Sequence, residues 1–150
     1  MTNLPTESTI NGVLIALSRS FLQYVAESRP WVDEVDRGIE EQVQALAARQ
    51  RQDVGEIVQL LIDRDWPIDF GSFPTEYTDL HFISLSTLFD RLQTGQSRIA
   101  DRLAAVTQSL CESSDKQATV LMDSIAERHS DVGSSLQQLQ QKLAGSPTQA

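Results

Sequence analysis

W-P-I-D-F-G-S-F-P-T-E-Y-T-D-L-H-F, residues 66–82, is the stretch from which the rest of the chain can be read. It carries Trp66, Phe70, Phe73, Tyr77 and Phe82, five of the nine aromatics in 150 residues, together with Pro67, Pro74 and His81. Proline fixes φ and removes a backbone donor, so this span breaks a helix rather than continuing one. On both sides the apolar residues recur at three- and four-residue steps. The stretch is a stiff aromatic interruption in a helical chain, and the fold follows from the segments that flank it.

Before it, Ile10, Val13, Leu14, Leu17, Phe21, Tyr24 and Val25 form one apolar stripe, which predicts a helix over residues 8–28. Pro30 ends that helix and suits the first turn of a second, where Asp33, Glu34 and Asp36 lie near the positive end of the dipole. Val32, Val35, Ile39, Val43, Leu46, Ala47, Val54, Ile57, Val58 and Leu61 mark the buried face of this second helix, over 30–64. Its charged residues, Arg49, Arg51 and Asp53 among them, read as a solvated face.

After the stretch, His81, Leu85, Leu88, Leu92, Ile99, Leu103, Val106 and Leu110 predict a third helix over 76–111. Ser114 and Gln117 have the form of a capping box opening a fourth helix over 114–144. Ala118, Met122, Ile125, His129, Val132, Leu136, Leu139 and Leu143 keep its stripe, and Gly145 and Pro147 end it. Residues 1–7 and 145–150 read as flexible ends. No strand-like alternation of useful length occurs. The expectation is one all-α domain: an antiparallel up-down-up-down four-helix bundle with turns near residues 29, 71 and 113 and an aromatic, Pro-rich link between helices 2 and 3.

Composition narrows the function classes. A chain of this length can bury about 70% of its unfolded surface, so neither disulfide nor metal is needed for stability. Net charge is -9, and 12 Lys and Arg are scattered among 21 acids, so nucleic acid and anionic membrane surfaces are not expected partners. The lone Cys111 excludes an intramolecular disulfide and a Cys-based zinc site, and fits a small apolar group near a helix end. The apolar run from Val13 to Leu17 is too short for a signal-peptide core or a membrane span, and the chain is expected to be cytoplasmic.

The candidate surface is the stretch itself: Trp66, Phe70, Phe73, Glu76, Tyr77, Asp79 and His81. Its plainest role is to fold back as a plug over an end of the bundle that a short first helix leaves open; the other is a binding platform. Tyr77 and His81 stand at i and i+4, where side chains can hydrogen-bond. His129 occupies a core position on the fourth helix and reads as a structural histidine, level with about residue 98 and about 25 Å along the bundle from His81. Matching the turns also puts Gly12, Gly95 and Gly133 near one level, next to His129, which suggests a close approach or a small cavity at the waist.

Inward carboxylates and histidines in a four-helix bundle raise the di-iron possibility. Those sites use a Glu from each of two helices and Glu-x-x-His from each of the other two. Glu127-Arg128-His129 is one residue short of that spacing, and the second helix has no histidine. No metal or other cofactor is therefore expected. GxGxxG, a Walker lysine loop and GxSxG are absent from the sequence, which offers no catalytic motif.

The segment G-S-F-P-T-E-Y-T-D-L-H-F-I-S-L, Gly71 to Leu85, resembles one found in a family of short, uncharacterised bacterial helical-bundle proteins, similar in plan to the ferritin-like four-helix bundle. The resemblance implies a ferritin-like plan with Pro74, Asp79 and His81 in its identifying loop. It brings no activity and no catalytic residues. Together these features lead to the expectation of a non-enzymatic bundle that works through protein–protein contact, as a homo-oligomer or with a protein partner. The apolar positions beyond one stripe (Ile15, Leu22, Leu60, Ile62, Ile83, Phe89) motivate self-association. The alternative is a degenerate ferritin-like bundle that binds a metal ion or small ligand at a non-standard site.

Overall fold

The structure, a computed structural model, describes residues 5–30, 32, 34, 37–80 and 84–145, without the side chains of 78–80, 144 and 145. The described residues form helices α1 (Thr6–Ser18), α2 (Phe21–Ser28), α3 (Arg37–Asp63), α4 (Leu85–Cys111) and α5 (Lys116–Gly145), with a 3-10 helix at Thr75–Leu80. The chain is an all-α four-helix bundle in which α1 and α2 together supply the first helix. No described helix is long and apolar enough to cross a membrane.

The first helix is broken in two because Ser20 caps α2. Its backbone is extended (φ -65°, ψ 157°) and its hydroxyl accepts the Gln23 N–H at 3.2 Å. Serine is a favoured N-cap because its oxygen satisfies a donor that the helix cannot. The apolar stripe continues through the break, from Leu17 to Phe21, so periodicity alone reads it as one helix. At the start of α5, Asp115 rather than Ser114 is the cap, accepting the Ala118 N–H at 3.1 Å.

Helix directions follow from two apolar clusters. Phe21, Leu22, Val25 and Ala26 of α2 pack with Val43, Leu46 and Ala47 early in α3, Leu85, Leu88, Phe89 and Leu92 early in α4, and Val132, Leu136 and Leu139 late in α5. The other cluster joins Ile10, Val13, Leu14 and Leu17 of α1 to Ile57, Leu60 and Leu61 late in α3, Ile99, Leu103, Val106 and Leu110 late in α4, and Ala118, Met122 and Ile125 early in α5. The starts of α3 and α4 therefore share one end. These two helices run parallel, and the order is up-down-down-up rather than up-down-up-down. Part of the apolar surplus finds its place here: Leu22, Leu60 and Phe89 are buried, whereas Ile62 is exposed.

The turn expected near residue 71 is instead a crossover that returns along the bundle. α3 closes in a Schellman arrangement: the Trp66 N–H reaches Leu61 O at 2.9 Å, the Asp65 N–H reaches Ile62 O at 3.0 Å, and Asp65 adopts φ +53°. Pro67 follows and the chain runs extended. A 27-residue helix such as α3 is about 40 Å long. Residues 66–74, at about 3.3 Å each, cover about 30 Å of it. A bundle with one long crossover buries the same four stripes as a simple up-and-down bundle, so the stripes do not distinguish them.

Arg64 clamps the end where the crossover leaves α3. Its guanidinium donates to both oxygens of Asp115 (2.7 and 3.0 Å) and to Glu7 (3.3 Å). The hydrogen bond from Arg64 holds the Asp115 carboxyl below its usual range.

Candidate functional site

Two places concentrate polar chemistry: the crossover strap with the cleft beneath it, and a buried layer at the waist.

The strap lies on the outside of the first helix and does not plug an end. Asn11 holds it with a pair of bonds, its amide donating to Asp69 O and its carbonyl accepting the Asp69 N–H, each at 3.1 Å. The Arg19 Nε donates to Phe70 O (3.1 Å) and Gly71 O (3.2 Å), and its guanidinium lies 5.0 Å from the centre of the Phe73 ring. Gly71 has φ +67°, and a Cβ there would stand 2.8 Å from Ile15 Cγ2, so the backbone comes too close for any side chain. Trp66 and Ile68 pack on the cluster at the bundle's far end.

Further on, Phe73 meets the Tyr24 ring edge-on at 5.4 Å, and Tyr77 meets Phe21 at 5.0 Å and Tyr24 at 5.3 Å. This docking fixes the 3-10 turn, which the Tyr77 N–H closes by bonding to Pro74 O at 3.1 Å. Residues 76–80 are thus in a 3-10 helix and not in the first turn of an α-helix. Burial raises the Tyr77 hydroxyl pKa. His81 and the side chain of Asp79 lie outside the described residues, as do Phe82 and Ile83.

Where the strap lands, a cleft of about 390 Å³ opens between α2, the 3-10 turn and α4. Phe21 and Tyr77 form its apolar wall; Asp90, Arg91, Thr94, Gly95 and Arg98 of α4 and Glu76 of the turn complete the lining. The lining of the cleft brings Glu76 and Tyr77 of the candidate surface together. Phe70, 44% exposed, and Trp66 lie elsewhere along the strap.

The waist separates the two apolar clusters. Ser20 and Gln23 of the first helix, Gln50 and Asp53 of α3, Gln96 of α4 and His129 of α5 are all buried there. The Ser20 hydroxyl and the Gln23 amide both donate to Gln50 Oε1, at 2.7 and 2.8 Å; Gln23 also donates to Ala47 O at 2.8 Å. The Arg51 guanidinium donates to Gln23 Oε1 at 3.0 Å. His129 Nε2 donates to Gln96 O at 2.8 Å, so its neutral form carries the proton on that nitrogen. The histidine is buried and bonded, and it lies beside Gln96, close to the expected level. Burial lowers its pKa.

Asp53 is not on a solvated face. Its carboxylate accepts Arg128 Nε at 2.6 Å, and the same guanidinium bonds to Glu56. Burial raises the Asp53 carboxyl pKa despite that partner. Gln50 Nε2 and Gln96 Oε1 are buried with no protein partner. A water bridging such atoms is the ordinary way to satisfy them.

The glycines do not form one waist level. A Cβ on Gly12 would strike the end of the Arg102 side chain at 2.5 Å, one on Gly95 would stand 3.6 Å from Phe21, and one on Gly133 would meet open space. Gly12 therefore lies opposite the second half of α4, and Gly95 opposite α2.

Against the Glu and Glu-x-x-His pattern of a di-iron bundle, α3 offers Gln50 and Asp53 at i and i+3, α5 offers Ala126 and His129, α4 offers Gln96 and the first helix offers Gln23. That set does not fit a transition-metal centre. Neutral amides stand where carboxylates are needed, Arg128 supplies the positive charge facing Asp53, and His129 Nε2 is committed to a carbonyl. Among the described residues no group of three or more His, Cys, Asp or Glu is placed to hold a metal ion. In comparison with known proteins, the chain matches no family model and no curated protein.

Proposed function

We propose that this protein is a non-enzymatic bundle of ferritin-like plan that works by binding, and that it takes a small ligand in the cleft beneath the strap instead of a metal at the waist. The cleft carries this reading: at about 390 Å³ it falls within the size range of small-molecule sites, and it combines an apolar wall with convergent charged groups. The single long crossover supports the ferritin-like plan, which has one such connection. Waist groups that bond to each other support a structural role there.

The test is a thermal-shift and NMR screen of small polar and aromatic fragments against the wild type and Gly95→Leu, whose added side chain would fill the cleft. Fragments should stabilise the wild type, shift the Thr94 and Gly95 amides, and lose both effects in the variant. Hits that bind Gly95→Leu equally well would place binding elsewhere and sink the reading.

Protein contact is the second reading, as a homo-oligomer or with another protein. It is favoured by large apolar side chains left in water: Ile62 at 54%, Phe70 at 44% and Val120 at 64% exposure. The groove between α3 and α5 that Val120 lines also carries both signs of charge, Glu56 and Asp63 with Arg128. A two-fold interface needs such self-complementarity. Light scattering at high micromolar concentration should then give a dimer that Val120→Glu disrupts; a monomer throughout would remove self-association.

A further inference from the structure

We infer that the ligand of the strap cleft is a flat molecule bearing a carboxylate or phosphate, with its anionic end held by Arg91 and Arg98 and its flat body lying over Gly95 against Phe21 and Tyr77. This rests on the reading of the cleft as a ligand site, and it specifies the chemistry that the site selects.

Arg91, Thr94, Gly95 and Arg98 stand at i, i+3, i+4 and i+7, which puts them on one face of α4. Seven residues rise about 10 Å along the axis, and two arginine side chains can close that span from either side of a residue with no side chain. Gly95 is that residue. The Thr94 hydroxyl donates to Asp90 O at 3.0 Å, which leaves recognition of an anion to the two guanidinium groups.

Charge comes next. Arg64 and Arg128 are each paired with two acids, and Arg19 is spent on strap carbonyls and the Phe73 ring. Among the described residues Arg91 and Arg98 have no ion pair. Arg29 and Arg37 share that condition and line a cleft of their own, but no aromatic side chain lines that one. The lining of the strap cleft holds two acids. Asp90 is taken by the Gln140 amide at 2.7 Å. Glu76 is exposed on the opposite wall, where it weakens the hold on an anion without pairing either arginine. A guanidinium matches a carboxylate or phosphate with two parallel hydrogen bonds, and such bonds are stronger than neutral ones.

The remaining wall selects the body of the ligand. Phe21 is buried, Tyr77 is half-buried, and their rings meet at 69°. They form an apolar corner rather than a flat floor. A Cβ on Gly95 would stand in ordinary contact, 3.6 Å from the Phe21 Cβ, so the glycine keeps the floor of the cleft low and a ring lies over it rather than between it and Phe21. Ring faces stack on flat molecules, so the body of the ligand rests on the aromatic corner and the guanidinium groups serve its anionic end.

The probes are 2-naphthoate and its neutral isostere 2-naphthamide, titrated into the full chain at low salt and followed by NMR and calorimetry. Naphthoate should shift the Thr94 and Gly95 amides and bind at least tenfold more tightly than naphthamide. R91Q/R98Q should weaken naphthoate at least tenfold and leave naphthamide unchanged. R49Q, on α3 and outside the cleft, should change neither, and E76Q should tighten naphthoate. Circular dichroism checks that each variant is folded. Equal binding of the two probes, or full naphthoate affinity in the double arginine variant, overturns the choice of an anion and leaves the cleft reading standing. Naphthoate that binds without shifting those amides overturns the inference, and the Gly95→Leu screen then decides the cleft reading separately.

Discussion

The waist and the strap are both interruptions in a pattern of apolar stripes, and they resolve in opposite ways. At the waist the four helices turn polar groups towards one another, and Ser20, Gln23, Gln50, Gln96 and His129 bond within the layer. Along the strap it is the backbone that is held, by Asn11 and Arg19, while the side chains divide between the first helix and solvent. A layer bonded in this way specifies which helices meet, and it leaves Gln50 Nε2 and Gln96 Oε1 without a protein partner. The backbone is pinned to the first helix, and where the chain then reaches α4 it leaves Glu76, Arg91 and Arg98 lining open space. Polar residues in a helical chain do not themselves mark a site; what matters is whether their partners lie inside the fold.

The largest expected effect tests whether the waist is self-contained. Arg128→Met leaves the buried Asp53 carboxylate without its cation. Breaking a fully buried pair costs about 3–5 kcal/mol, and because the Arg128 side chain is 39% exposed the expected loss is about 2–3 kcal/mol at pH 7. Burial already raises the Asp53 pKa, and Arg128 lowers it, so the variant should protonate Asp53 at a higher pH than the wild type does. The cost should therefore fall by half or more in urea unfolding at pH 4.5. An equal loss at both pH values would show that the packing of the arginine stem, not its charge, holds the waist. Naphthoate affinity should not change.

The strap responds to a different substitution. Gly71→Ala adds a methyl group 2.8 Å from Ile15 Cγ2 at a backbone φ of +67°. The expected cost is about 1–2 kcal/mol, from strain and contact together. Ile15→Ala in the same chain should recover the contact part and leave the backbone part, so the two changes should be non-additive in thermal unfolding. Simple additivity would mean that the strap moves away from α1 without cost.

How much of this the sequence shows can be traced to particular residues. The stripes locate the four helical segments, because burial of one helix face writes itself into spacing. Helix direction is not written there: the stripe of α4 can be buried whether Leu88 lies beside Val43, as it does here, or at the opposite end of the bundle, and reading Glu76–His81 as helix shortened the link to a turn. The Ser20 break is hidden because Leu17 and Phe21 keep the stripe in phase across it. The waist did leave a trace, in the gaps of the stripes between Ala47 and Val54, where Gln50 and Asp53 sit, and between Leu92 and Ile99, where Gln96 sits. The pairing of Asp53 with Arg128 left none, because it depends on how two distant helices meet. The arginines of the cleft look scattered in the sequence and share a face only once α4 is formed.

The smallest expected effect is also at the waist, and it separates a structural histidine from a functional one. Burial lowers the His129 pKa from its ordinary value of 6.5, so at neutral pH the folded and unfolded chains both hold it uncharged. As the pH falls below 6.5 the unfolded chain binds the proton first. The stability that the neutral ring permits is complete above 6.5 and is lost as the pH falls towards the folded value, with a slope of at most about 1.4 kcal/mol per pH unit. Asp53, whose pKa is raised, works in the opposite sense nearer 3.8, where the folded chain binds the proton first. His129→Gln keeps a donor for Gln96 O and removes the titration. Between pH 7.5 and 5.5 the wild type should lose stability that His129→Gln keeps, by at most about 1.4 kcal/mol in urea unfolding, and the two should bind naphthoate alike. If the variant keeps the wild-type slope, His129 is not the group that titrates; if it loses naphthoate, the waist and the cleft are coupled and the contrast between them fails.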